Sequence, residues 1–572
     1  MKVAFEKVRT KLASHWNHLS RGAHARIIGG GVLVLAGLII LPAFKFWIGP
    51  AIKTWRVERA IDQAAAFDAA QDYRNLLLSV RRVSTLGSTD VEVWRSVAGY
   101  LSKLGDPNAI AARRQVIALT PRDHEAQVEL AADALRFGEI TLGQQALEAV
   151  PDTVARRDAT YQRIAGTLAL YLGDVENMKS HLAEVITLDP QDATARFDLA
   201  AAQLWSPRSE DRATGRATLD ELLSNPDQRV RAALELLKDA ARDHDGRRAA
   251  DVVERVIQRF PPLPIRATGA SDLDRMIAAL QLASRTQPGD AALLASWLSD
   301  IRRGTDAMGW LKVLPAETRL HVAVREVTTE LALRLNDFDT ATELLLQGTF
   351  GPISSQTLVL ALSARQLEIR QRTTACQVAW TEAIATAATD RRPGSLRVLA
   401  RIALLWGKPA WVEAAVNKAI DQSPQSFWAF SILRDQWLTQ GETKKLWELY
   451  DRWVQRQPED LNVVSQWLRL GSALPDARAA LDARAESYLQ QLPASPRTTA
   501  ALAGWRWRQG REAEARSLLA QAGEGVYYNP DSAFWAAVIT GSTEPVRDFP
   551  ALARLQTLPV ENALLTGQTK RP

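Results

Sequence analysis

The residues able to do chemistry in this 572-residue chain are few and scattered. His15 and His18 have a spacing that puts two imidazoles on one side of a helix, as a divalent cation would need, but the pair lacks further ligands. His24 is the third of seven histidines and stands in the same N-terminal segment. Asp243-His244-Asp245-Gly246 sets acid beside base, yet its composition is that of a turn between helices. The single cysteine, Cys376, cannot form an intramolecular disulfide and has no basic neighbour in sequence, so it reads as a small buried apolar residue. No phosphate-binding loop, dinucleotide fingerprint, CxxC pair, HExxH helix or GxSxG elbow occurs. Paired carboxylates lie on arginine-rich stretches, where solvated faces and ion pairs are the ordinary outcome. The expectation is therefore no catalytic residue, no metal, no cofactor and no small-molecule substrate.

With catalysis set aside, the glycines and prolines that shape the elements carry the most information. Gly407 and Gly441 are 34 residues apart, as are Pro424 and Pro458, and each glycine precedes its proline by 17. Gly173 and Pro190 repeat the 17-residue offset. In units 393–426 and 427–460, Leu399, Ala400, Ala403, Val412, Val416 and Ala419 precede the first proline; Phe430, Trp437, Leu446, Tyr450 and Trp453 precede the second. These positions recur at a period near 3.6, which makes each unit two helices. A glycine at the turn supplies a left-handed residue, and a proline past the second helix stops it. A 34-residue unit with this punctuation resembles the tetratricopeptide repeat (TPR). The resemblance covers most of residues 58–525, with about four units matching tightly. Gly166, Gly105, Gly138, Gly510 and the Asn336-Asp337-Phe338 turn extend the register. The fold class it implies is all-α, a TPR-like α-solenoid of stacked antiparallel helix pairs. Gly348-Thr349-Phe350-Gly351-Pro352 reads as a break between two solenoid halves.

Length and charge agree with an array. A chain this long exceeds one globular core, while a solenoid grows by adding pairs. The net charge of +5 resides in residues 1–26, which hold Lys2, Lys7, Arg9, Lys11, Arg21 and Arg26 against Glu6; the remainder balances. A neutral array lacks the basic face that nucleic acid requires. Ile27–Phe44 is uncharged and rich in Val, Leu, Ile and Gly. With Lys45 snorkelling, it extends to near the ~20 residues a bilayer needs. A cleaved signal peptide lacks a small-x-small site here, and Gly29-Gly30-Gly31 suits a soluble helix poorly. The organisation expected is a basic segment 1–26, one transmembrane helix 27–49, solenoid halves 50–350 and 351–548, and a tail 549–572. Six basic residues before the span, against four after it, favour the solenoid on the non-cytoplasmic side.

The remaining chemistry is recognition. In TPR arrays the first helix of each pair lines the concave face, which puts Arg95, Arg163, Arg397 and Arg401 there. Arginine in a groove clamps carboxylates. Arg95, Arg163 and Arg397 match the basic place of carboxylate-clamp TPRs, but Gly99, Thr167 and Arg401 stand where that clamp carries asparagine, so chaperone-tail binding is not carried over. Ten of the eighteen tryptophans fall between Trp406 and Trp535. Trp411, Trp437, Trp447 and Trp453 fall at packing places, and Trp428 and Trp507 nearer the groove, where aromatics suit an apolar peptide. The function expected is that of a membrane-anchored scaffold binding protein partners through the concave face. It resembles bacterial envelope TPR proteins of assembly, secretion or export. The rival is an accessory subunit of a membrane glycosyltransferase or protease.

Overall fold

The computed structural model describes residues 49–566, apart from 138, 173, 261–270, 352, 391–393, 423–426 and 543–548. The expected membrane span lies outside the described residues, except for Gly49, which opens the helix Gly49–Ala69. The basic N-terminal segment with its three histidines, Gly138, Gly173 and Pro424 also lie outside them. Among the described residues no helix is long and apolar enough to cross a membrane.

Every described regular element is helical. Aspartate starts many of the helices: the side chains of Asp72, Asp90, Asp123, Asp192 and Asp460 accept hydrogen bonds from the first free backbone N–H groups. The turns inside pairs use the expected left-handed residues, with Gly407 at φ 63° and Gly441 at φ 73°. Asn336 does the same at φ 59°, tolerating it as asparagine does. Sequential helices then pair: Val91–Lys103 with Asn108–Leu119, Ala159–Leu172 with Val175–Leu188, Ser355–Ile369 with Thr373–Thr389, and Pro496–Arg508 with Glu512–Ala522. Small residues set the approach. Gly215 lies so close to its neighbour that a Cβ would meet the Ala200 carbonyl oxygen at 2.7 Å.

The pairs stack into a solenoid in which Arg229–Arg242 touches Pro288–Asp300, which touches Val322–Leu335, which in turn touches Ser395–Leu405. One apolar core runs unbroken from Phe197 to Leu558 and passes through Phe350 and Ile353. Phe350 within the expected break and Ile353 just past it both belong to that core. Smaller clusters hold Val57–Ala112 and the C-terminal helices.

The winding is tight enough for the solenoid to meet itself. The Val322 N–H donates to the Tyr73 hydroxyl at 3.0 Å, and Arg325 donates to the Gln71 carbonyl at 3.0 Å. Farther along, Thr141 donates to the Glu459 carbonyl, Arg497 to the Tyr171 carbonyl and Tyr528 to Asp211, at 3.1, 3.1 and 3.2 Å. The sequence separations of the first two contacts are 249 and 254, and those of the last three 318, 326 and 317. Contacts at such long separations are what one superhelical turn stacked on the next produces.

Of the segment expected as a tail, residues 549–566 are described and hold two short helical elements. Pro550–Arg554 forms a 3₁₀ turn and Pro559–Leu565 a helix. Leu558 joins the main core, and the fully buried Glu561 pairs with buried Arg469 at 3.0 Å. The sequence hid this because Leu558, Val560 and Leu564 make too short an apolar pattern to register as an element.

Candidate functional site

The row of helices Arg229–Arg242, Pro288–Asp300, Val322–Leu335 and Ser395–Leu405 faces into the winding. Arg397 shows this: charges from two distant elements, Asp106 and Glu326, act on its guanidinium. Its pKa is lowered, chiefly by burial, against the opposing pull of those two carboxylates, and Arg401 adds to the lowering. Arg397 reaches solvent, but the surrounding wall displaces enough water to disfavour its charge. It forms no ion pair among the described residues.

The other sequence-selected arginines are engaged within the chain. Arg401 donates to Glu326 at 2.7 Å and Glu330 at 2.8 Å, and lies 3.9 Å over the Phe350 ring. Arg95 pairs with Asp123 and Arg163 with Asp192. Both aspartates cap the helix that follows in the row, so these arginines tie one helix pair to the next. Arg497 makes a related tie, pairing at 2.9 Å with Asp531 in the first turn of Pro530–Thr540, whose cap is Asn529, while donating to the Tyr171 carbonyl across the winding. Sequence reasoning placed the arginines on inner helices but had no means of seeing that the capping aspartate of the next repeat lies within reach.

The two candidate groove tryptophans are half-buried. Trp428 packs on the main core, and Trp507 packs on the C-terminal cluster with its ring 6.5 Å from that of Trp535. Of the tryptophans placed at packing positions, Trp437 and Trp453 are buried, and Trp411 stacks on Trp380 at 4.7 Å. Cys376 is buried as expected. The turn at 243–246 carries His244 at φ 52°, and Asp243 takes ion pairs from Arg216 and Arg248 at 3.2 and 2.7 Å.

One concavity lies on the inner row and a second beside it, between Ala159–Leu172, Val175–Leu188 and Ala193–Gln203. One, of about 610 Å³, is bordered by Arg231, Asp290, Leu293, Val327, Glu326 and Glu330. The other, of about 350 Å³, includes Asp198, Glu235, Leu170, Met178 and Tyr528. Arg231 and Glu235 are one helical turn apart on the same helix, so the concavities adjoin. Asp290 is 6% exposed and its Oδ2 has no hydrogen-bond partner among the described residues. Burial pushes its carboxyl up to about 6 although Arg231 and Arg229 pull it down. Burial raises Asp198 as well, again against Arg231 and Arg163. These acids were missed by sequence reading. The available signal was the i, i+4 pair Glu326/Glu330, together with an acid directly after Pro288-Gly289 at a helix start. Among the described residues no group of three or more His, Cys, Asp or Glu is placed to hold a metal ion.

No family model matches the chain, and no curated protein matches it. Among solved structures it is similar to one titled "Crystal structure of APC/C hetero-tetramer Cut9-Hcn1", at 12% identity, covering 90% of this chain and 96% of that one, with a TM-score of 0.25. Superposition that loose leaves the solenoid to be read from its own helix packing.

Proposed function

We propose that the chain is a TPR-like scaffold that holds protein partners on the inner face of its winding, anchored in a membrane by residues 27–49. The observation that carries the reading is the inner row itself. Four helices, each touching the next, present charged and half-buried groups along a curved wall with one concavity on it and a second adjoining its end. A surface of that length suits an extended or helical segment of another protein. The apolar run Ile27–Phe44 supports the anchor, and its charge flanks support the solenoid lying on the non-cytoplasmic side of a bacterial inner membrane. A role in envelope assembly, secretion or export follows from the resemblance to envelope TPR proteins. Anchoring would raise the effective concentration of any partner confined to the same bilayer.

In-cell cross-linking followed by purification of the full chain in mild detergent tests this. The intact protein is expected to retain a stoichiometric partner that the Arg397→Glu variant loses, since Arg397 is an exposed inner-face arginine without an ion pair among the described residues. A chain that retains no partner would contradict the scaffold. Co-purification of an enzyme whose activity depends on this chain would favour the accessory-subunit reading instead.

A further inference from the structure

Among the described tryptophans Trp55 alone is exposed, at 54%. It stands in the opening turns of Gly49–Ala69, where residues 51–56, 58 and 59 are all exposed. The other side of this helix is packed: Val57, Ala60 and Ala64 are buried in one cluster with Leu76, Val80 and Val83 of Tyr73–Leu86. Ile52, Trp55, Arg56 and Arg59 follow at i, i+3, i+4 and i+7, which gathers them on the side turned away from that contact. Ile52 is 38% exposed, and the Arg59 guanidinium lies 5.3 Å from the centre of the Trp55 ring. An indole with a wet N–H edge, flanked by an aliphatic group and cations, is a combination that a membrane–water interface accommodates better than bulk water does. The charge at this end is modest: Lys53, Arg56 and Arg59 stand against Glu58, with Asp62 further along the helix.

We infer that these opening turns lie against a bilayer surface, with Ile52 and Trp55 entering the headgroup layer and Lys53 and Arg56 meeting lipid phosphates. The inference rests on the reading of residues 27–49 as a membrane anchor and adds a second, peripheral contact to it. Distance selects the occupant. Ile52 follows the end of that span by three residues, and those residues are helical, which amounts to about 5 Å of rise. The headgroup layer on each side of the hydrocarbon is about 5–7 Å deep. An anchored chain therefore holds Ile52 at the interface, and a lean of the helix towards its exposed side brings Trp55 into the same layer. The apolar groups drive this contact, and the cations tune it towards anionic lipid. A span together with a surface contact fixes the attitude of the first helix pair to the membrane, where a span alone leaves it free to swivel.

The test places the full chain in lipid nanodiscs of phosphatidylcholine, alone or mixed with phosphatidylglycerol. Nitroxide labels are attached one at a time through Ile52→Cys, Val313→Cys and Leu35→Cys; the native Cys376 is buried, and the unsubstituted chain serves as the blank. Collisions with dissolved oxygen report lipid, and collisions with a water-soluble nickel chelate report solvent. The oxygen-to-chelate ratio at position 52 is expected to exceed that at position 313 several-fold, and to rise further with phosphatidylglycerol. Trp55→Ala is expected to lower the ratio at position 52 without changing the melting temperature, since the indole it removes is exposed. Lys53→Glu with Arg56→Glu is expected to abolish the rise with phosphatidylglycerol. Chelate access at position 52 equal to that at position 313 overturns the surface contact. Shielding of position 52 from both reagents overturns it too, because protein and not lipid then covers these turns. The label at position 35 separates this inference from the anchor: lipid at 35 with water at 52 leaves the anchor standing and strikes only the surface contact, whereas water at 35 strikes both.

Discussion

At the residue scale the structure makes sharp demands on small and buried positions. A Cβ at Gly504 would clash with atoms of the Trp535 ring, which is itself fully buried. Gly504→Ala is therefore expected to destabilise by about 1–3 kcal/mol or more through overpacking, read as a lowered urea midpoint with an unchanged slope. Asp290 has a raised folded pKa, so its contribution to stability is present below the ordinary carboxylate pKa near 3.8 and is lost as pH rises towards about 6. Replacing it with asparagine is expected to leave the protein at least as stable near pH 7 as the native chain. The difference in favour of the variant should grow between pH 4 and 6.5 and not exceed about 3 kcal/mol, as urea titrations at a series of pH values would show. Which residues were legible in the sequence follows from range. Gly407 and Gly441 could be assigned from local punctuation because a left-handed turn is a property of a few adjacent residues. Asp290 could not, because its burial depends on a neighbouring helix more than thirty residues on.

At the element scale the helix pairs were legible and their ties were not. Period and stop signals located the two tight units, yet the Arg95–Asp123 and Arg163–Asp192 pairs join residues 28 and 29 apart, from one pair to the next. A sequence shows each arginine as exposed-type and each aspartate as a cap, and only packing shows that they meet. The C-terminal helix Pro559–Leu565 teaches the same lesson. Burial raises the Glu561 carboxyl pKa, and Arg469 opposes the shift. Glu561→Ala would leave Arg469, which is 2% exposed, with Asp531 at 3.6 Å as its remaining counter-charge among the described residues, and is expected to cost about 3 kcal/mol. Replacing both residues with apolar ones should recover much of that loss. Hydrogen exchange in Leu461–Ser472 checks it: protection should fall in the single variant and return in the double.

At the scale of the whole molecule, the stacked winding is the feature that no local pattern contained. Tyr528 is buried at the seam, with Met178 and Leu182 in the same cluster and its hydroxyl on Asp211. Tyr528→Ala is expected to loosen both sides of that seam. Exchange should rise in Ser209–Leu222 as well as in the C-terminal helices, though more than 300 residues separate them. The winding also decides what a partner can reach, since it turns one row of helices into an interior wall and leaves the opposite ends of the pairs outside. Site-specific photo-cross-linking in cells tests that claim most directly, with the reactive side chain at Leu293 on the inner wall and, separately, at Val313, which is 70% exposed at the end of Gly304–Lys312. The account predicts a discrete cross-linked partner from position 293 and none from position 313. A partner captured from 313 but not from 293 would contradict it.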